Sequence, residues 1–129
     1  MIVLDASVII AHWDSADTQH RQANELLLRS SGEEIAASPI TLAEVLVVHV
    51  RSGRLDAARK ALKDLEVLTL PLDDDAAVGL ALLRSSTRLK LPDCCVLLAA
   101  EQRRASIATF DARLAAAARA RGHAVLGVR

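Results

Sequence analysis

Met1-Ile-Val-Leu-Asp-Ala-Ser-Val-Ile-Ile10 puts four apolar residues in front of a carboxylate. Met1 to Leu4 reads as a strand covered on both faces, the pattern of a parallel strand at the centre of a sheet. Asp5 then falls near the carboxyl end of that strand, the edge at which open α/β sheets form their ligand crevice. A cap is the competing reading, because Asp5 or Ser7 could simply start the next helix. Position alone does not separate the two. The decision rests on whether other carboxylates reach the same edge.

Working outward, strand and helix alternate along the chain. Asp17 or Thr18 is placed to cap a helix over His20 to Ser30, whose apolar positions Ala23, Leu26 and Leu27 have helical spacing and which Gly32 ends. Ile35 to Ser38 reads as the second strand, stopped by Pro39. A helix follows over Leu42 to Arg51, stopped at Gly53, and then a basic amphipathic segment over Leu55 to Leu65. Val67 to Leu70 is the third strand, ended by Pro71. The acidic triplet Asp73-Asp-Asp75 caps a helix through Leu80 and Leu83 to about Arg88, and capping with the helix dipole explains these acids without a site. Pro92 opens a helix over Cys94 to Arg104. Ser106 to Thr109 is the fourth strand, Ala112 to Arg121 the last helix and Ala124 to Val128 the last strand. This order predicts one domain over residues 1–129 with a three-layer α/β/α architecture, a central parallel sheet covered by helices on both faces.

The bulk numbers agree. The chain has 129 residues, 52% of them hydrophobic and 25% charged, enough to bury a core. No apolar run approaches the roughly 20 residues that span a bilayer and no basic leader opens the chain, so a cytoplasmic protein is expected. The two cysteines, Cys94 and Cys95, are adjacent and lack a partner at metal-ligand spacing, which argues against a disulfide or structural zinc. Net charge is zero, with 16 basic and 16 acidic residues. If four acids were sequestered around a cation, 16 bases would face 12 acids over the rest of the surface. Aromatics are nearly absent, Trp13 and Phe110 only, which speaks against a stacking platform for single strands.

Asp5, Glu44, Asp93 and Asp111 each lie at a strand end or in the first turn of a helix. Glu44 has a purely structural alternative: with Thr41 as N-cap it forms a capping box. Asp93 could likewise be a cap, and His20 reads as a solvated first-turn residue. Four acids on one edge are costly as a structural device, because they repel and push one another's pKa upward unless a cation neutralises them. Oxygen-only ligands suit a hard ion such as Mg²⁺ or Mn²⁺, and the implied chemistry is metal-assisted attack of water on a phosphodiester.

With these residues in view, the chain resembles the PIN-domain ribonucleases, and among them the VapC-type toxins of bacterial toxin–antitoxin pairs. The matching segments are IVLDASVI, SPITLAEVL, LPDCCVLLAA and ATFDARL, in the family's order and spacing over essentially the whole chain. The resemblance places the family's acids on Asp5, Glu44, Asp93 and Asp111, with Ser7 and Thr109 at its small hydroxyl positions. It implies Mg²⁺ or Mn²⁺ held by Asp5, Asp93 and Asp111, with Asp5 and Asp93 as direct ligands of a first ion. It also implies endonucleolytic cutting of RNA, a homodimer, and inhibition by a cognate VapB-type antitoxin. The nearly all-apolar helix Leu42 to Arg51 is expected to meet a partner as well as the core. Two other functions fit parts of the pattern. DASV also looks like a degraded DxDxT opening of aspartate-nucleophile phosphatases, with Ser7 in the second acid's place. A catalytically silent RNA- or protein-binding module would keep the fold and lose the turnover.

Overall fold

The computed structural model describes residues 1–128. Five strands, β1 (Ile2–Leu4), β2 (Ile35–Ala37), β3 (Leu68–Thr69), β4 (Ser106–Thr109) and β5 (Val125–Gly127), form one parallel sheet in the order β3-β2-β1-β4-β5. The opening strand is central, as its apolar run demands. Ile2 and Leu4 pack into the cluster on one face with Val8, Ile9 and Val45, whereas Val3 joins Leu97, Ile107 and Leu114 on the other. All three are essentially inaccessible to solvent, and burying each contributes about 1.5–3 kcal/mol.

Among the described residues, seven helices cover the sheet. The face that buries Ile2 and Leu4 carries α1 (Ala6–Trp13), α2 (His20–Arg29), α3 (Pro39–Arg51) and α4 (Leu55–Asp64). The opposite face carries α5 (Ala76–Thr87), α6 (Leu91–Arg103) and α7 (Ala112–Ala120). The expected three-layer α/β/α arrangement is therefore present. The chain builds outward from β1 to β2 and β3, then returns across β1 to place β4 and β5 on its far side. Order reverses between β1 and β4, and a crevice opens at the carboxyl ends of such a pair.

Several boundaries differ from the sequence reading. Helix α3 starts at Pro39, three residues early, because Ser38 caps it by accepting from the Ile40 N–H and Pro39 supplies a preset φ at a position that needs no N–H. Thr41 is therefore inside the helix, fully buried, and its hydroxyl has no hydrogen-bond partner among the described residues. The Thr41–Glu44 capping box does not form. Helix α6 likewise begins at Leu91, with Lys90 as N-cap and Pro92 in its first turn, so Asp93 does not cap it. Gln19, not Asp17 or Thr18, is the N-cap of α2, although the Asp17 carboxylate accepts from the Gln19 N–H. Asp73 accepts from the Asp75 N–H just ahead of α5, so the triplet does shape that helix start, but Asp75 itself makes no side-chain cap. No helix among the described residues is long and apolar enough to cross a membrane.

Candidate active site

Asp5 ends β1 and caps α1, with 8% of its surface exposed. Its Oδ1 accepts from the Ala6 N–H at 2.9 Å, and its Oδ2 accepts from the hydroxyls of Ser7 and Thr109, both at 2.7 Å. Each hydroxyl is itself fixed by a backbone donor. The Phe110 N–H donates to Ser7 Oγ at 3.1 Å, and the Asp111 N–H donates to Thr109 Oγ1 at 3.0 Å. One carboxylate thus ties the end of β1 to the end of β4 across the reversal in strand order. Thr109, fully buried, is the pivot of that tie.

Gly127 makes the close approach of β5 to this pivot possible. It pairs with Thr109 in register, has φ +105°, and a Cβ there would lie 2.4 Å from the Thr109 carbonyl oxygen. Only glycine accepts that conformation and that proximity.

The other three acids surround Asp5. Asp111 caps α7: its Oδ1 accepts from the N–H groups of Arg113 and Leu114, at 2.8 and 2.9 Å. Its other oxygen accepts no hydrogen bond among the described residues. Glu44, one turn into α3, and Asp93, in the first turn of α6, accept no protein hydrogen bond at all among those residues. Burial, then the charges of Asp5 and Asp93, push the Glu44 carboxyl above its ordinary value of 4.5. Burial, then the charges of Asp5 and Asp111, push the Asp93 carboxyl above 3.8, and Lys90 and Arg113 act against the rise. The four acids singled out in the sequence are therefore close enough to feel one another, and Ser7 and Thr109 stand among them.

The donor set fits a hard divalent cation. It is oxygen-only, it keeps free oxygens on Glu44, Asp93 and Asp111, and its mutual repulsion is what a cation would relieve. Among the described residues no three carboxylate, imidazole or thiol groups form a finished ligand cage, so an ion would need these side chains to draw together around it. The thiols take no part: Cys94 and Cys95 are free and buried, and burial pushes both above their ordinary value.

Two site-edge residues escaped the sequence reading, Lys90 and Arg113. Their positions, three residues before Asp93 and two after Asp111, were the available signal.

The family model for the PIN domain matches residues 2–120. The chain belongs to the PIN-domain family. No curated protein matches the sequence, but solved structures with the PIN fold do. A toxin-antitoxin complex from Klebsiella pneumoniae is 26% identical, with a TM-score of 0.70 over 86% of this chain and 87% of that one. VapC20 from Mycobacterium tuberculosis, described as a sarcin-ricin loop cleaving toxin, has a TM-score of 0.75 at 20% identity over 100% of this chain and 99% of that one. FitAcB from Neisseria gonorrhoeae has a TM-score of 0.74 at 23% identity over 98% and 96%. The order of strands and the switch point of this PIN chain thus belong to a known scaffold.

Proposed function

We propose that the protein is an Mg²⁺- or Mn²⁺-dependent endoribonuclease that acts in the cytoplasm as the toxin of a toxin–antitoxin pair, as one domain over residues 1–129. The observation that carries this reading is the gathering of Asp5, Glu44, Asp93 and Asp111 at the β1/β4 reversal of a PIN fold, two of them with carboxyls pushed up by burial and by their neighbours. Asp5, Asp93 and Asp111 are the residues that would hold the ion. When bound, such an ion lowers the pKa of a coordinated water and stabilises charge developing on a phosphodiester.

The protein's own groups have distinct parts. Ser7 and Thr109 hold the Asp5 carboxylate in one orientation, so that its remaining lone pair points the same way in every turnover. Glu44 carries uncommitted oxygens and a raised pKa, which suits it to take a proton from attacking water. Asp111 is half used as a cap, which leaves one oxygen for the site.

The toxin role and the VapB-type antitoxin draw support from the likeness to a toxin-antitoxin complex, and a homodimer is proposed with them. They also draw support from the apolar side of α3, where Val47, Val48 and Val50 are 41%, 62% and 55% exposed. The phosphatase reading is weaker, because the place of its second acid is taken by Ser7, whose hydroxyl is committed to the Asp5 carboxylate. A silent binding module gives no reason for four acids to be held together against their repulsion.

Asp5→Asn and Asp93→Asn test the assignment. Each should abolish metal-dependent cleavage of RNA while the far-ultraviolet circular dichroism stays native. Full activity in both variants would end the nuclease reading.

A further inference from the structure

Two cations stand at the rim of the acidic cluster without a carboxylate of their own. Lys90 is the exposed N-cap of α6, three residues ahead of Asp93. Arg113 is exposed in the first turn of α7, and its backbone N–H is held by Asp111. The ion pairs among the described residues are Arg21–Glu25, Lys60–Asp64 and Arg121–Glu101, so neither Lys90 nor Arg113 is spent on a surface pair. Both nevertheless act on Asp93 from where they sit. A cation left free beside a group of acids, on a well-anchored helix start, is available to a second anion.

The surroundings point to what that anion is. Arg113 also lines a groove of about 520 Å³ between α7 and the α5–α6 connection, whose other wall includes Thr87 and Leu89. On the α7 side its floor is Ala116, Ala117 and Ala120, which leave the groove open beside the backbone. The connection itself is stiffened by Arg84, whose guanidinium donates to the carbonyls of Arg88 and Leu89. Lys90 is therefore presented from a fixed base. Arg113 thus stands next to Asp111 and on the groove wall at once.

We propose that Lys90 and Arg113 are substrate-positioning residues that bind the RNA phosphates next to the scissile one and pass the strand into the groove along α7. The inference rests on the ribonuclease reading of the same site and deepens it by naming how the backbone is held. Chemically the two cations answer a problem that the cluster creates. An acidic site repels a polyanion, so a strand must be drawn to it by charge placed at its rim. Lys90 and Arg113 supply that attraction without occupying the oxygens that do the chemistry.

The test is the salt dependence of cleavage of a labelled single-stranded oligoribonucleotide in Mn²⁺, comparing wild type with Lys90→Gln, Arg113→Gln and the double variant. Each phosphate contact on a single strand contributes a slope of about 0.7 in log affinity against log salt, or about five-fold between 0.1 M and 1 M. At 0.1 M salt each single variant should therefore raise KM about five-fold and the double variant about 25-fold, with the loss falling on KM and not on kcat. Arg113→Lys should keep the wild-type slope, because a point charge suffices for a phosphate. Arg54→Gln, at the remote start of α4, should leave KM and slope unchanged. An unaltered KM and slope in the double variant would overturn the proposal, and so would a fall in kcat at constant KM. Absence of cleavage by the wild type is a separate outcome: the ribonuclease reading would then fail, and this one with it.

Discussion

Neutralising Asp5 and neutralising Asp93 should have opposite effects on the stability of the metal-free protein, although both should abolish the proposed activity. Asp93 accepts no hydrogen bond among the described residues, and its charge is opposed by burial and by Asp5 and Asp111. Asp93→Asn removes that repulsion at neutral pH and should leave stability unchanged or raise it by up to about 1 kcal/mol, the scale of a partly screened charge pair. Asp5→Asn removes repulsion too, but it also replaces an acceptor of two hydroxyl protons. Asparagine offers one acceptor oxygen where Asp5 uses two, so either the Ser7 and Thr109 hydroxyls or the Ala6 N–H faces its NH2 group and loses an acceptor. Leaving a buried donor unsatisfied costs about 1–3 kcal/mol, and the Thr109 hydroxyl is fully buried. A net loss of about 1–2 kcal/mol is expected for Asp5→Asn, or roughly 3–8 °C in Tm for a chain of this size. Urea denaturation in EDTA at pH 7 measures both. An Asp5→Asn variant as stable as wild type beside a destabilised Asp93→Asn would refute the claim that Asp5 is the anchored member of the cluster.

Further tests follow from the same geometry. Because the Glu44 and Asp93 carboxyls are pushed up in the folded state, folding takes up protons between their ordinary values of 4.5 and 3.8 and the raised ones. Their contribution to metal-free stability should thus fall as pH rises through that window, and saturating Mg²⁺ should flatten the trend, as read by Tm against pH. Gly127→Ala should cost about 1–3 kcal/mol in denaturation and lower cleavage, since its Cβ would meet the Thr109 carbonyl at a positive φ. With no capping box at Thr41, Glu44→Ala and Glu44→Gln should have equal thermal stability while both lose activity. Val48→Asp, at an exposed position of α3, should weaken antitoxin binding in titration calorimetry without altering cleavage by the free protein.

The order of elements was legible because local signals agree with the fold: a doubly apolar first strand, alternating segments, and Pro and Gly at the breaks. The carboxyl-edge rule then brought Asp5, Glu44, Asp93 and Asp111 together without any knowledge of distance. Helix starts were misjudged at α3 and α6 for one reason. The sequence expectation starts both helices after their prolines, at Leu42 and Cys94, whereas Pro39 and Pro92 at the first helical positions lie inside the helix. That shift turned Thr41 from a cap into a buried hydroxyl. The tie from Thr109 to Asp5 spans 104 residues, so no spacing reveals it; the resemblance flagged Thr109, and only the fold gives it a partner. Lys90 and Arg113 are marked in the sequence only by their spacing from Asp93 and Asp111, because a free surface cation differs from a paired one only in three dimensions.

Metal-dependent cleavage by the protein itself tests the central claim most directly. Purified, antitoxin-free protein is incubated with total RNA in EDTA, in Mg²⁺ and in Mn²⁺, and the cut ends are mapped. The account predicts internal cuts at defined positions in Mg²⁺ or Mn²⁺ and intact RNA in EDTA. Intact RNA under all three conditions, or equal cleavage with and without the ion, would contradict it.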